Sequence, residues 1–182
     1  ESDRIIAMLN TLMDISEAET GAMALRIEPT RLADLLEQTF ELYADVAEDA
    51  GVDLGMEVPY DLHVPVDRNR MRQALANLLD NAIKYTPRGG RVEISGAALP
   101  EGVRIRVADS GVGIPADELP RIWERLYRGD KSRSTRGLGL GLSHVKAIVG
   151  AHRGRITVES TPGNGSRFDI HLPAEPPNIT PV

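Results

Sequence analysis

The chain of 182 residues contains no cysteine. That excludes a disulfide framework and every cysteine-based metal site, and it suits a reducing compartment. Aromatic residues make up only 4% of it. No apolar run approaches the roughly 20 residues of a membrane span, and no signal peptide is visible. Positive charge is not in excess. A net charge of -6 gives no general affinity for nucleic acid, although local basic clusters remain. No G-x-x-x-x-G-K-[ST] run occurs, which excludes a Walker A loop. There is no internal repeat and no regular βαβ alternation, so a doubly wound parallel sheet is not expected. The first residue is Glu and the chain opens in mid-helix, so a piece of a longer protein is expected.

What is present centres on Met71 to Tyr85, M-R-Q-A-L-A-N-L-L-D-N-A-I-K-Y. Met71, Leu75, Leu78, Leu79, Ala82 and Ile83 fall at helical spacing on one face. Gln73, Asn77, Asn81 and Lys84 form a polar stripe opposite. Asn favours caps and turns over helix interiors, so two of them four apart need a reason. An Asn amide offers an oxygen to a hard cation and an NH₂ to a phosphate oxygen. For this helix alone, a solvated face is the favoured account of the pattern.

Upstream, Asp3 to Glu19 carries Ile5, Ile6, Leu9, Leu12, Met13 and Ile15 in a near-heptad pattern, with Gly21 ending the helix. The spacing predicts a short strand over Ala24 to Ile27, a helix from Leu32 towards Gly51, and a strand over Val52 to Val58. Asp67 is positioned as the N-cap of the central helix. Arg91 to Ala97 and Val103 to Asp109 read as a hairpin. A short helix is expected over Glu118 to Leu126, another over Leu142 to Val149, and strands over Arg155 to Ser160 and Ser166 to Leu172. The fold class implied is an α/β (α+β) two-layer sandwich. A mixed, mostly antiparallel sheet packs on helices, after one amphipathic helix.

Three further stretches carry chemistry. In Asp109-Ser110-Gly111-Val112-Gly113-Ile114, spaced glycines let backbone lie close to a flat ligand, and a carboxylate can accept from an exocyclic amine. In Gly137-Leu138-Gly139-Leu140-Gly141-Leu142, glycines entering a helix expose N–H groups to an anion. The spacing is G-x-G-x-G after a basic loop, not the dinucleotide fingerprint G-x-G-x-x-G after a strand. Between them, Lys131, Arg133 and Arg136 among Ser and Thr have the composition of a lid that brings cations to a polyphosphate. Each alone admits a plain structural reading: a common turn, a glycine-rich bend, a solvated basic loop.

Their order is specific: N-L-L-D-N-A-I-K-Y-T-P, D-S-G-V-G-I-P, E-R-L-Y-R-G-D, then G-L-G-L-G-L. The series resembles the N, G1, F and G2 boxes of the catalytic, ATP-binding domain of bacterial sensor histidine kinases, over roughly Ala24 to Leu172. That family shares its fold with gyrase, heat-shock chaperone and mismatch-repair ATPases. The resemblance implies ATP and Mg²⁺ as ligands. It makes Asn81 the Mg²⁺ ligand and Asn77 a holder of phosphate. Lys84 and Tyr85 become nucleotide contacts, and Asp109, with Gly111, Gly113 and Ile114, the adenine site. Lys131, Gly137, Leu138, Gly139, Leu140, Gly141 and Leu142 become the lid and its hinge. Asn77, Lys84, Arg133 and Arg136 are the groups implied in catalysis, through positioning and charge neutralisation. Trp123 and Leu126 stand where the family usually has Phe, with bulk kept to anchor the lid.

In hydrolysing relatives a Glu acting as general base occupies the place of Asn77. A neutral amide cannot take that proton, so slow hydrolysis is expected. Of the four histidines, His63, His144, His152 and His171, none has H-box neighbours. They are expected to be structural or surface residues, with His144 and His152 on a helix leading away from the anion-binding end. The implied enzyme is a protein-histidine kinase whose acceptor His lies outside these residues. Residues 1–21 would end the dimerisation hairpin, 22–173 form the catalytic domain, and 174–182 a disordered tail. A response regulator receiver domain and a homodimeric full-length protein are the implied partners, without nucleic acid or membrane contact by this segment. The segment is expected in the cytoplasm, with the full-length protein anchored in a bacterial inner membrane. The alternatives are a degenerate nucleotide- or partner-binding module and an ATP-hydrolysing relative.

Overall fold

In the computed structural model, residues 2–129 and 138–175 are described, with side chains from residue 5. The elements are α1 (Ser2–Glu19), β1 (Glu28–Arg31), α2 (Leu32–Ala50), β2 (Asp53–Glu57), β3 (His63–Val66), α3 (Arg68–Tyr85), β4 (Arg91–Leu99), β5 (Gly102–Asp109), α4 (Gly141–Ala151), β6 (Arg155–Ser160) and β7 (Ser166–Pro173). A five-stranded sheet runs in the order β2-β4-β5-β7-β6. Its β2–β4 pair is parallel; β4–β5, β5–β7 and β6–β7 are antiparallel. β1 and β3 form a separate antiparallel pair.

Alternation along the strands builds the second layer. Val92, Ile94, Val103, Ile105, Val107, Phe168, Ile170 and Leu172 are buried on one face of the sheet. They meet Leu35 and Leu36 of α2, Leu75, Leu78 and Leu79 of α3, and Val145, Ile148 and Val149 of α4. The outer face is polar, and there Asp169 on β7 receives both Nε and Nη2 of Arg106 on β5. Helices therefore cover a single face, as the sequence pattern requires.

Local signals set the helix ends. Asp67 Oδ1 accepts the N–H of Arg70, capping α3, and its Oδ2 accepts the N–H of Arg26. The N–H of Asp67 donates to Nε2 of the buried His152, which ties the end of α4 to the start of α3. Gly51 ends α2 at a φ of 69°, where glycine carries no Cβ penalty.

Two expectations are corrected. The strand read over Ala24 to Ile27 lies at Glu28–Arg31, because its pairing partner is β3, where Val64 and Val66 are buried. The helix read over Glu118 to Leu126 is instead a series of turns, closed by bonds such as Arg121 N–H to Glu118 O and Glu124 N–H to Arg121 O. Pro120 lies inside it and disfavours the helical conformation for Leu119 before it. The apolar residues of α1 divide. Ile15 is buried and the helix packs on α4, whereas Ile5, Ile6, Leu9 and Met13 are exposed. Among the described residues, no helix is long and apolar enough to cross a membrane.

Candidate functional site

A cavity of about 500 Å³ opens between α3, the turn after β5 and the start of α4. It brings together most of the residues singled out in the sequence. Asn77, Asn81, Lys84 and Tyr85 line it from α3. Asp109, Gly113 and Ile114 line it from the end of β5, and Leu138, Gly139, Leu140, Gly141 and Leu142 from the glycine-rich stretch. Gln73, in the same sequence stripe, is exposed and does not line it. Lys131, Arg133, Arg136 and Gly137 lie outside the described residues.

Backbone fixes the Asp109 end. Asp109 Oδ1 accepts the N–H of Gly111 at 2.8 Å and of Ser166 at 3.2 Å. Both bonds fall on Oδ1, so Oδ2 is the oxygen available to a ligand donor. Burial raises the carboxyl above its ordinary value, and the two N–H bonds oppose that by favouring the ionised form. Gly111 packs against α3, where a Cβ would lie 2.4 Å from Tyr85 O. Val112 N–H donates to the same carbonyl. Gly113 has a φ of 68° and passes Thr161, whose carbonyl a Cβ would meet at 2.1 Å. Only glycine fits there.

The opposite end is made of amides and a helix start. Asn77 and Asn81 are one turn apart on α3, both half-buried. Gly141 begins α4 directly over them: a Cβ there would sit 3.7 Å from Asn77 Oδ1 and 3.7 Å from Asn81 Nδ2. A methyl there would fit at ordinary contact and would take up space beside both amides. The N-cap of α4, Leu140, supplies no side-chain bond to the first turn, so that turn's N–H groups are left for another acceptor. Lys84 places its ammonium 5.1 Å from the centre of the Tyr85 ring.

Backbone also anchors the glycine-rich stretch. Leu126 N–H donates to Gly139 O, and Gly139 takes a φ of 71° beside Tyr127 O. Trp123 packs edge-on against Phe168, with ring centres 6.1 Å apart. It packs against the core there. Leu126 departs from expectation, since its side chain is 56% exposed and its main chain makes the attachment.

His144 is the second correction at the site. It lines the cavity instead of leading away from it. It is buried, with Nδ1 3.4 Å from Asn77 Nδ2 and Nε2 3.3 Å from Asp14 Oδ2. The available signal was a polar ring inside the run L-S-H-V-K-A-I-V, four residues before the apolar Ile148 on the same helical face. α1 reaches the same place, where Ala7, Met8 and Thr11 also line the cavity.

Residues 66–176 match the family model described as histidine kinase-, DNA gyrase B-, and HSP90-like ATPase, and the chain belongs to that family. Within it, the chain is an ATP-binding catalytic domain of the histidine kinase kind. Sensor-like histidine kinase SenX3 of Mycobacterium tuberculosis is 35% identical over 176 residues, covering 96% of this chain and 43% of SenX3. The chain thus spans less than half the length of that relative. Among solved structures, the catalytic domain of histidine kinase ThkA is 30% identical with a TM-score of 0.74, covering 82% of this chain and 96% of that one. Full-length ShkA in complex with AMPPNP is 29% identical with a TM-score of 0.83, covering 96% of this chain and 37% of ShkA. ThkA has also been solved with response regulator protein TrrA; that chain is 26% identical with a TM-score of 0.75, covering 96% of this chain and 49% of ThkA.

Proposed function

We propose that the cavity binds Mg·ATP and that the full protein transfers the γ-phosphoryl group to a histidine outside these residues, for relay to a response regulator aspartate. The carrying observation is a cavity with the half-buried, backbone-held carboxylate of Asp109 at one end and two helix-borne amides beside the glycine at a helix start at the other. Asp109 Oδ2 accepts from the adenine amine, with Gly111, Gly113 and Ile114 shaping the plane beside the ring. Lys84, the first turn of α4 and the amide of Asn77 hold phosphate oxygens; Lys131, Arg133 and Arg136 add charge from the lid.

The donor set fits Mg²⁺ that arrives with the phosphates. Among the described residues no group of three or more His, Cys, Asp or Glu is arranged to hold an ion by itself. Mg²⁺ keeps several waters and takes few protein oxygens besides those of phosphate. Asn81 is the proposed protein ligand. When bound, the ion neutralises charge that builds on the phosphates during transfer.

Asn77 favours transfer over hydrolysis, because a neutral amide cannot draw a proton from water. ShkA with AMPPNP and ThkA with TrrA support nucleotide binding and relay by related chains. We assign residues 1–21 to the end of a dimerisation hairpin and 22–173 to the catalytic domain, within a homodimeric, membrane-anchored bacterial kinase.

The test is labelling with γ-labelled ATP. The full-length gene product should take up acid-labile label, while this chain alone should bind Mg·ATP, remain unlabelled and hydrolyse ATP slowly. Binding without any label in the full-length protein would favour the degenerate module. Rapid hydrolysis would favour the ATPase reading.

A further inference from the structure

The phosphate end of the cavity is joined to α1 by polar side chains gathered around the buried His144. Asp14 on α1 receives Nη1 of Arg70 on α3 at 2.6 Å. The same carboxylate oxygen lies 3.3 Å from Nε2 of His144 on α4, a charge contact outside hydrogen-bond geometry. His144 Nδ1 in turn lies 3.4 Å from Nδ2 of Asn77. His144 is 5% exposed, in the first turn of the helix that Gly141 begins.

The chemistry of each atom fixes the direction of the contact with Asn77. An amide nitrogen donates and cannot accept, so Nδ1 must be the acceptor in its contact with Asn77. The ring proton then sits on Nε2, facing the Asp14 carboxylate. Three influences act on the ring. Burial lowers its pKa most strongly, Asp14 raises it, and Arg70 lowers it, with a lowered value as the outcome. The neutral ring that results has the acceptor this contact needs. With Nδ2 turned to the histidine, Asn77 Oδ1 is turned to Gly141, where an added Cβ would lie 3.7 Å from it.

We propose that His144 is a positioning residue. By accepting a hydrogen bond from one N–H of the Asn77 amide, it fixes the rotation of that amide, whose second N–H is left for a phosphate oxygen, and it sets this arrangement beside Asp14 on α1. The inference rests on the nucleotide reading of the cavity. An Asn on a helix rim otherwise rotates between two amide orientations, and only the one that turns its NH₂ to Nδ1 satisfies the neutral ring. His144 touches no ligand itself. Its effect passes through Asn77, and it makes the position of α1 felt at the site.

A double-mutant cycle with this chain tests the proposal, using calorimetry with Mg·AMPPNP. Loss of one such bond should weaken binding in His144→Leu by about three- to ten-fold. In an Asn77→Ala background, the same substitution should change affinity by less than about two-fold, since nothing remains to be positioned. Equal losses in both backgrounds would show a merely structural histidine and overturn the proposal. His144→Asn, whose Oδ1 replaces Nδ1, should recover most of the affinity. His144→Gln, whose amide reaches only the Nε2 place, should not; the reverse order would also overturn it. Should His144→Leu fail to fold, ¹⁵N resonances of the wild-type ring decide, with Nδ1 expected unprotonated and Nε2 protonated. A protonated Nδ1 contradicts the assignment. If the wild-type chain does not bind Mg·AMPPNP at all, the nucleotide reading falls and this inference with it. Normal binding with additive losses removes the positioning role alone.

Discussion

At the Asp109 end of the cavity, the ligand-facing group is clamped by main chain; at the Asn77 and Asn81 end, the groups hang from helices. Asp109 receives N–H groups from its own turn and from the start of β7, so three segments fix one carboxylate. The two asparagines depend on the spacing of α3 and α4 and on the absence of a methyl at Gly141. A flat base needs one fixed acceptor, whereas phosphates that must move towards a second substrate need donors on elements that can shift. In the proposed reading the first end chooses the nucleotide and the second handles its reactive part.

Asn81→Ala should produce the largest effect. We expect Mg·ATP affinity to fall on the order of 100-fold, as for a lost contact to a charged group. ADP binding without Mg²⁺ should change little. Calorimetry with and without the ion checks this, and equal losses in both would erase the division between the two ends.

Asp109→Asn comes next. Its Oδ1 can still accept from Gly111 and Ser166, so the fold should be kept. Its NH₂ would face the adenine amine, donor against donor. ATP, ADP and adenosine should all weaken by about ten-fold or more, and GTP should gain relative to ATP. Competition binding measures the ratio; an unchanged preference would mean that the base is not read here.

Gly141→Ala should separate site from scaffold. The position is helical and a Cβ meets only ordinary contacts, so thermal stability should hold or rise by up to about 1 kcal/mol. Mg·ATP should bind several-fold more weakly, because the methyl occupies the phosphate space. Melting and binding on one sample give both values.

The smallest effect is that of pH. Burial lowers the pKa of His144, beside Asp14 and Arg70, and of His152, beside Asp67, below the ordinary 6.5. The unfolded chain therefore binds more protons in the window below 6.5. Stability from these rings is complete above that pH and is lost as pH falls through their folded values. Each contributes at most about 1.4 kcal/mol per pH unit. Asp109 runs oppositely: its raised carboxyl contributes stability at low pH that is lost as pH rises through its folded value. Melting curves taken from pH 7.5 down through the ordinary carboxylate range should thus fall more steeply in Asp109→Asn than in the wild type.

Regular elements were legible where one period dominated. α3 shows its buried stripe and its Asp67 cap in the sequence, and β4 through β7 show alternation. β1 was misplaced because E-P-T-R has no apolar alternation and is defined by its partner β3. The false helix at Glu118 to Leu126 came from apolar spacing that Pro120 and a positive φ at Leu126 override. At the site, motif order located Asn77, Asn81, Asp109 and Gly141. It could not place His144 beside Asn77, since that contact joins two helices 67 residues apart in sequence.

The sheet has two free edges, β2 and β6, and each edge exposes main-chain groups that a second copy could extend. Both carry outward charge: Asp53 and Glu57 on β2, Arg155 and Glu159 on β6. The apolar residues Ile156 and Val158 of β6 turn inward to the core. Charge at these edges makes strand-to-strand aggregation unfavourable. The apolar residues exposed on α1 belong to a helix and offer no strand edge to a second copy.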